Sequence, residues 1–188
     1  MWKLWLPLVI VLISVGCSSN KGALSSTDSD LRRQALIELA HSGNFKAYLP
    51  EFINVLKNDS NALVRSQAAI YLGKFKATES VPALLNALKD QNEWVRYESA
   101  LALGNIGDAS AINGLAQVVE NDPVALVRRG ATQALGNIND SKIIPILINR
   151  LEDAEPSVNQ AAWLVLQKIT GQSLPNNVEI WQKWFQGK

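Results

Sequence analysis

Apolar residues along this chain recur at helical spacing, in blocks that are themselves repeated. In the stretch Asp90 to Asp108 (DQNEWVRYESALALGNIGD), Val95, Ser99, Leu103 and Ile106 fall at i, i+4, i+8 and i+11, one face of an α-helix. The same column reads Val64, Ala68, Leu72 and Phe75 one block earlier, and Val127, Ala131, Leu135 and Ile138 one block later. The small residue in the middle of each column predicts a close approach of neighbouring helices. A shorter apolar block precedes each of these, starting near Pro50 in LPEFINVLKND, Pro82 in VPALLNALKD and Pro145 in IPILINRLED, with Asn113 in the equivalent place of INGLAQVVEND. Proline fits a first helical turn because the N–H it lacks would have no intrahelical partner there. Each block therefore predicts two helices joined by a short polar turn, where the turn Asp or a neighbour such as Asn92 caps the second helix. Gly107 and Asn139 stand where a left-handed C-cap is wanted.

Fixed markers set the period. Val64-Arg65, Val95-Arg96, Val127-Arg128 and Val158-Asn159 follow one another at steps of 31, 32 and 31 residues. Asp59, Asp90, Asp122 and Asp153 lie six residues before the Arg column, and Gly73, Gly104, Gly136 and then Gln167 lie eight residues after it. A period near thirty residues means stacked units rather than one closed globule. Asp30 to Leu39 repeats the second-helix pattern without a first helix, which predicts a half-repeat cap ended by Gly43. After Thr170-Gly171-Gln172 a last helix is predicted over 177–185, with Ile180, Trp181, Trp184 and Phe185 on one face as a cap over the open end.

The D-x5-R spacing, the Val-Arg pairs, the small column and the L-G-N-I run resemble HEAT-like repeats, most closely the short kind of the phycobilisome-lyase family. The resemblance covers about Asp30 to Thr170. It implies an all-α solenoid, a right-handed superhelix of about four helical hairpins with an N-terminal half-repeat and a C-terminal capping helix. The last unit departs from the pattern, with Asn159 for Arg and Gln167 for Gly, as a terminal unit does.

Composition narrows the chemistry. The formal charge is +1, with one Cys and one His in 188 residues. A near-neutral chain has no broad field for phosphate backbones, so nucleic acid is not expected as a partner. No disulfide within the chain and no Cys/His metal cluster can be assembled, and no cofactor is expected. HEAT-like enzymes that hold iron need several His-Glu pairs, which a single His41 does not supply.

The N-terminus adds a different signal. Met1 to Gly16 (MWKLWLPLVIVLISVG) is too short to span a bilayer, which takes about 20 residues, and reads as a secretory leader. Ser14-Val15-Gly16-Cys17 at its end resembles the bacterial lipoprotein signal, in which Cys17 would become the lipid-modified first residue. Four segments follow: a signal peptide over 1–16, an acylated Cys with a flexible tether over 17–29, the solenoid over 30–170 and the cap over 171–188. Ser18 beside the Cys points by that resemblance to the outer membrane, facing the periplasm.

Two sets of side chains stand out. Arg32, Arg65, Arg96 and Arg128 are expected to form a structural ladder with Asp59, Asp90, Asp122 and their neighbours across the turns. Tyr97, Arg129 and Gln133, with Trp163 at the far end, occupy outward-facing columns of the second helices, and their aromatic and Arg character suits a partner-binding band. Trp163 has an alternative, packing under the C-terminal cap. The functional expectation is a lipid-anchored, non-catalytic scaffold that binds another protein, without metal. The rival is a lyase-like enzyme that grips a chromophore or similar ligand.

Overall fold

The computed structural model describes residues 21–138 and 140–187. Cys17, the leader and Asn139 lie outside the described residues. Ten α-helices are described: α1 (Ser29–His41), α2 (Leu49–Asn58), α3 (Ala62–Lys74), α4 (Val81–Ala87), α5 (Glu93–Ile106), α6 (Ile112–Asn121), α7 (Ala125–Ile138), α8 (Ile144–Arg150), α9 (Pro156–Thr170) and α10 (Val178–Gln186). No strand occurs among the described residues. Helices α2, α4 and α8 carry Pro50, Pro82 and Pro145 in their first turn, each entered through a short 3-10 turn. Asn61 and Asn92 cap α3 and α5, their side-chain oxygens accepting from the N–H groups of Leu63 and Trp94. Gly107 and Gly171 end α5 and α9 in the left-handed region.

The helices form two layers. In the inner layer α3, α5, α7 and α9 pack successively on one another; in the outer layer α2, α4, α6 and α8 touch one another far less. The reason is the glycine column. A Cβ placed on Gly73 or Gly104 would lie 2.5 Å from the backbone Cα of Ala102 or Ala134 in the next inner helix. Inner helices therefore meet backbone to backbone, while α4 and α6 leave an outer cleft of about 370 Å³ between them. Close spacing in one layer and wide spacing in the other bends the stack, with the inner layer concave.

Between the layers the core follows the predicted columns. Val64, Ala68, Leu72, Val95, Ser99, Leu103, Val127, Ala131 and Leu135 are buried, facing Phe52, Leu84, Leu115 and Leu147 of the outer helices. The last position of each column behaves differently: Ile106 and Ile138 are half-buried. Phe75 is exposed and stacks on Phe45 at 4.1 Å between ring centroids.

The ends differ in part from expectation. Residues 21–28, the described part of the expected tether, lie against the first unit: Leu24 packs on the core and Lys21 pairs with Glu51. Asp28 caps α1, its side chain accepting from the Asp30 N–H at 2.8 Å. At the far end Trp181 is fully buried and donates to the Pro175 carbonyl at 3.0 Å, with Trp184 edge-on to it at 5.6 Å. Ile180 and Phe185, expected on the same buried face, remain exposed, α10 docking chiefly on α8 among the described outer helices.

Candidate functional site

The Arg–Asp ladder is real, and it runs between units. Arg96 Nε and Nη2 donate to the two carboxylate oxygens of Asp122 at 2.7 and 3.0 Å, while Nη1 donates to the Asp90 carbonyl at 2.9 Å. Arg65 does the same with Asp90 and the Asp59 carbonyl, and Arg128 with Asp153 and the Asp122 carbonyl. The Asp six residues earlier thus supplies its backbone, and the carboxylate comes from the next unit. Arg32 completes the series. It pairs with Asp59 and uses the Ser26 and Thr27 carbonyls, so residues 26–27 stand in for the turn that the half-repeat lacks.

Each carboxylate also accepts a turn N–H, such as Asn92 N to Asp90 at 2.9 Å and Val124 N to Asp122 at 2.9 Å. Burial works against ionisation of Asp59 and Asp90, but the Arg and backbone hydrogen bonds outweigh it and hold both carboxyls below their ordinary range. At Asp153 the Arg128 bond is the largest influence, with the same outcome. Asn159 stands where the next Arg would, and no further helical hairpin follows it among the described residues. It bonds the Leu151 carbonyl and accepts from Asn176 instead. In this ladder the Nε and both Nη nitrogens of each Arg are engaged in holding one unit to the next.

The concave face carries the remaining candidates. Tyr97 is half-buried, with its ring lying over Gly130; a Cβ there would meet the ring at 2.7 Å. Arg129 is half-buried and its Nε is shielded from solvent without a hydrogen-bond partner. Gln133 is exposed on the same face. Trp163 departs from this band: its indole N–H donates to the Leu174 carbonyl at 2.8 Å, tucking the ring beneath the segment after α9. His41 lies near the end of α1, bonded through Nδ1 to the Ile37 carbonyl at 2.7 Å and edge-on to Tyr71.

Two residues of this face were not picked out from the sequence. Trp94, 47% exposed, stands one turn before Tyr97 and meets it edge-on at 6.1 Å. Its signal was there to be read, since Leu63, Leu126 and Ser157 occupy the same column. Glu98 is the other: burial pushes its carboxyl above the usual carboxylate range. Nothing local marks Glu98, because its burial is created by the packing of neighbouring units.

These features define a class. Residues 49–136 and 113–179 match the family described as HEAT repeats, and the chain belongs to the HEAT-repeat family. Among curated proteins it is similar to the deoxyhypusine hydroxylases of Saccharomyces cerevisiae (34% identical over 84 residues, 44% of this chain and 26% of that one). The Arabidopsis thaliana enzyme is 39% identical over 84 residues, covering 44% and 27%, and deoxyhypusine hydroxylase-B of Oryza sativa is 30% identical over 117 residues, covering 61% and 39%. The chain thus spans about a quarter to two-fifths of the length of these relatives.

In fold it resembles the CpcE–CpcF complex of phycocyanin lyase from Nostoc, with a TM-score of 0.70 at 23% identity over 89% of this chain and 68% of that one. Human deoxyhypusine hydroxylase in complex with glycerol has a TM-score of 0.59 at 17% identity, over 83% and 62%.

These relatives correct the functional expectation. A non-catalytic scaffold anchored by lipid in a bacterial envelope does not agree with curated relatives that are enzymes of fungi and plants. No described helix is long and apolar enough to cross a membrane. The lipid anchor and the exclusion of metal drawn from the sequence fall with it: the named relatives are hydroxylases, and hydroxylation is oxidative chemistry that side chains do not perform unaided. The error has a physical source. A repeat pattern reports packing, which an enzyme and a scaffold on one solenoid share.

Proposed function

We propose that this chain is an enzyme component of the HEAT-repeat type that takes its substrate on the concave face, with Glu98 as the carboxyl exchanging a proton there. The observation that carries the reading is the setting of Glu98. Its carboxyl is raised by burial, on a face that also holds the Trp94–Tyr97 pair and the unpartnered Arg129 Nε. A carboxyl raised above its ordinary range by burial is suited to general acid–base work. An edge-to-face aromatic pair offers a wall to a planar group, and Arg129 offers a donor to an anionic one.

Of the two reaction types found among similar proteins, a lyase-type proton transfer fits these residues better. Oxidative hydroxylation needs a redox centre, and among the described residues no group of three His, Cys, Asp or Glu is placed to hold a metal ion. No step is therefore derived through a metal.

The test is to mix the full chain with a bilin chromophore and chromophore-free phycocyanin, following tryptophan quenching and visible absorbance. Native protein should bind the chromophore and speed its attachment. Tyr97→Ala should weaken binding about thirtyfold, and Glu98→Gln should keep binding while losing the rate. Absence of binding by the native chain, or transfer of oxygen to a deoxyhypusine peptide detected as a mass gain, would overturn the lyase reading.

A further inference from the structure

The C-terminal ends of the inner helices form a second surface, at one edge of the concave face. Gly73, Lys74, Lys76, Gly104, Asn105, Asn137 and Lys168 line a cleft there of about 360 Å³. Its lining holds three ammonium groups and two amides and no carboxylate. Among the described residues none of the three lysines has an ion-pair partner.

Lys74 is held over the Tyr71 and Phe75 rings at 5.8 Å, and Lys168 reaches the Gly136 carbonyl and Asn137 Oδ1 at 3.4 Å each. Lys76 is different. Its φ is +50°, the only positive φ among described non-glycine residues, whereas Gly43, Gly107 and Gly171 take this conformation after α1, α5 and α9. A lysine there carries a backbone penalty that glycine would avoid, in a left-handed cap whose N–H closes the end of α3 on the Gly73 carbonyl at 3.1 Å. The cap accounts for the backbone conformation, and what a lysine adds at this position where glycine would serve is a positive charge on the cleft.

We infer that this cleft binds an extended acidic peptide segment. Its lysines face carboxylate side chains, and its amides and last-turn helix carbonyls meet the peptide backbone. The helix ends decide against a compact phosphate. They present carbonyl oxygens and the negative end of the helix dipole, which repel a dense anion lacking N–H groups but accept a peptide's own N–H donors. The positive charges are also spread over α3, the turn after it and α9, which suits a string of separated carboxylates rather than one centre.

The probe is a fluorescein-labelled peptide of alternating Glu and Ser, about ten residues long. Extended, it covers roughly 33 Å, against three inter-helix steps of about 8–10 Å each. Anisotropy titration with the full chain at low salt should show binding that disappears as added salt shortens the screening length. Lys76→Gly should weaken binding about tenfold, while its melting temperature holds or rises by about 2–4 °C as strain is released. Lys168→Gln should weaken binding as well. Equal binding by Lys76→Gly, equal binding of a Lys/Ser peptide, or tighter binding of inorganic tripolyphosphate than of the acidic peptide would each overturn the inference. Tyr97→Ala leaves this cleft intact and should bind the peptide as the native chain does, which separates this site from the one proposed above.

Discussion

Removing the Arg96 guanidinium tests the between-unit ladder most directly. Arg96→Ala deletes two charge-assisted bonds to the Asp122 carboxylate and one to the Asp90 carbonyl. It leaves Asp122, whose side chain is 5% exposed, without its counter-charge. A charged hydrogen bond is worth about 1.5–3 kcal/mol, and breaking a buried pair costs about 3–5. Here the Arg side chain keeps 12% of its exposure, and Asp122 retains the Val124 N–H, so water and the turn recover part of the loss. The expected cost is about 2–4 kcal/mol.

The assay is urea unfolding followed by far-UV circular dichroism, arranged as two double-mutant cycles. Coupling between Arg96→Ala and Asp122→Ala should reach about 1.5–3 kcal/mol. Coupling between Arg96→Ala and Asp90→Ala should be much smaller, because Asp90 gives Arg96 only its backbone and that survives the substitution. Arg96→Lys should recover less than half of the loss, since an ammonium group cannot reproduce the fork. A cost under about 0.5 kcal/mol would refute the ladder as a stabilising element, and a larger coupling to Asp90 would refute its direction.

Other consequences follow from the same contacts. Gly104→Ala gains helix propensity of about 1 kcal/mol but drives a Cβ into the Ala134 backbone at 2.5 Å. A net loss of about 1–3 kcal/mol is expected, larger than for Gly130→Ala, where a Tyr97 ring can swing aside; paired urea midpoints check the order. Acidification should also destabilise the stack. The carboxyls of Asp59, Asp90 and Asp153 lie below their unfolded value of about 3.9, so the folded state binds fewer protons. Their stabilisation is complete above that value and is lost as pH falls through the folded ones. Melting temperature should drop steeply below about pH 4, and a flat profile there would contradict the ladder.

The sequence by itself determined the repeating unit, the helix pair within it, the buried columns and the chain's membership of a solenoid class. Each of these is a local periodicity, and local periodicities survive in one dimension. Pairing between units does not. In a chain of nearly constant period every column stands at a nearly constant distance from every other, in its own unit and in the next. The six-residue Asp-to-Arg step was therefore as regular as the 25 to 27 residues that separate the true carboxylate partners. Only the tertiary structure decides between them, because an inner helix places its Arg beside the turn of the unit that follows. The same holds for Glu98, whose carboxyl is shielded by packing, and for Trp163, bonded to Leu174 beyond the end of its helix. Lys76 joins them: its residue type was plain in the sequence, but the left-handed backbone that makes it unusual exists only where α3 ends against the rest of the stack.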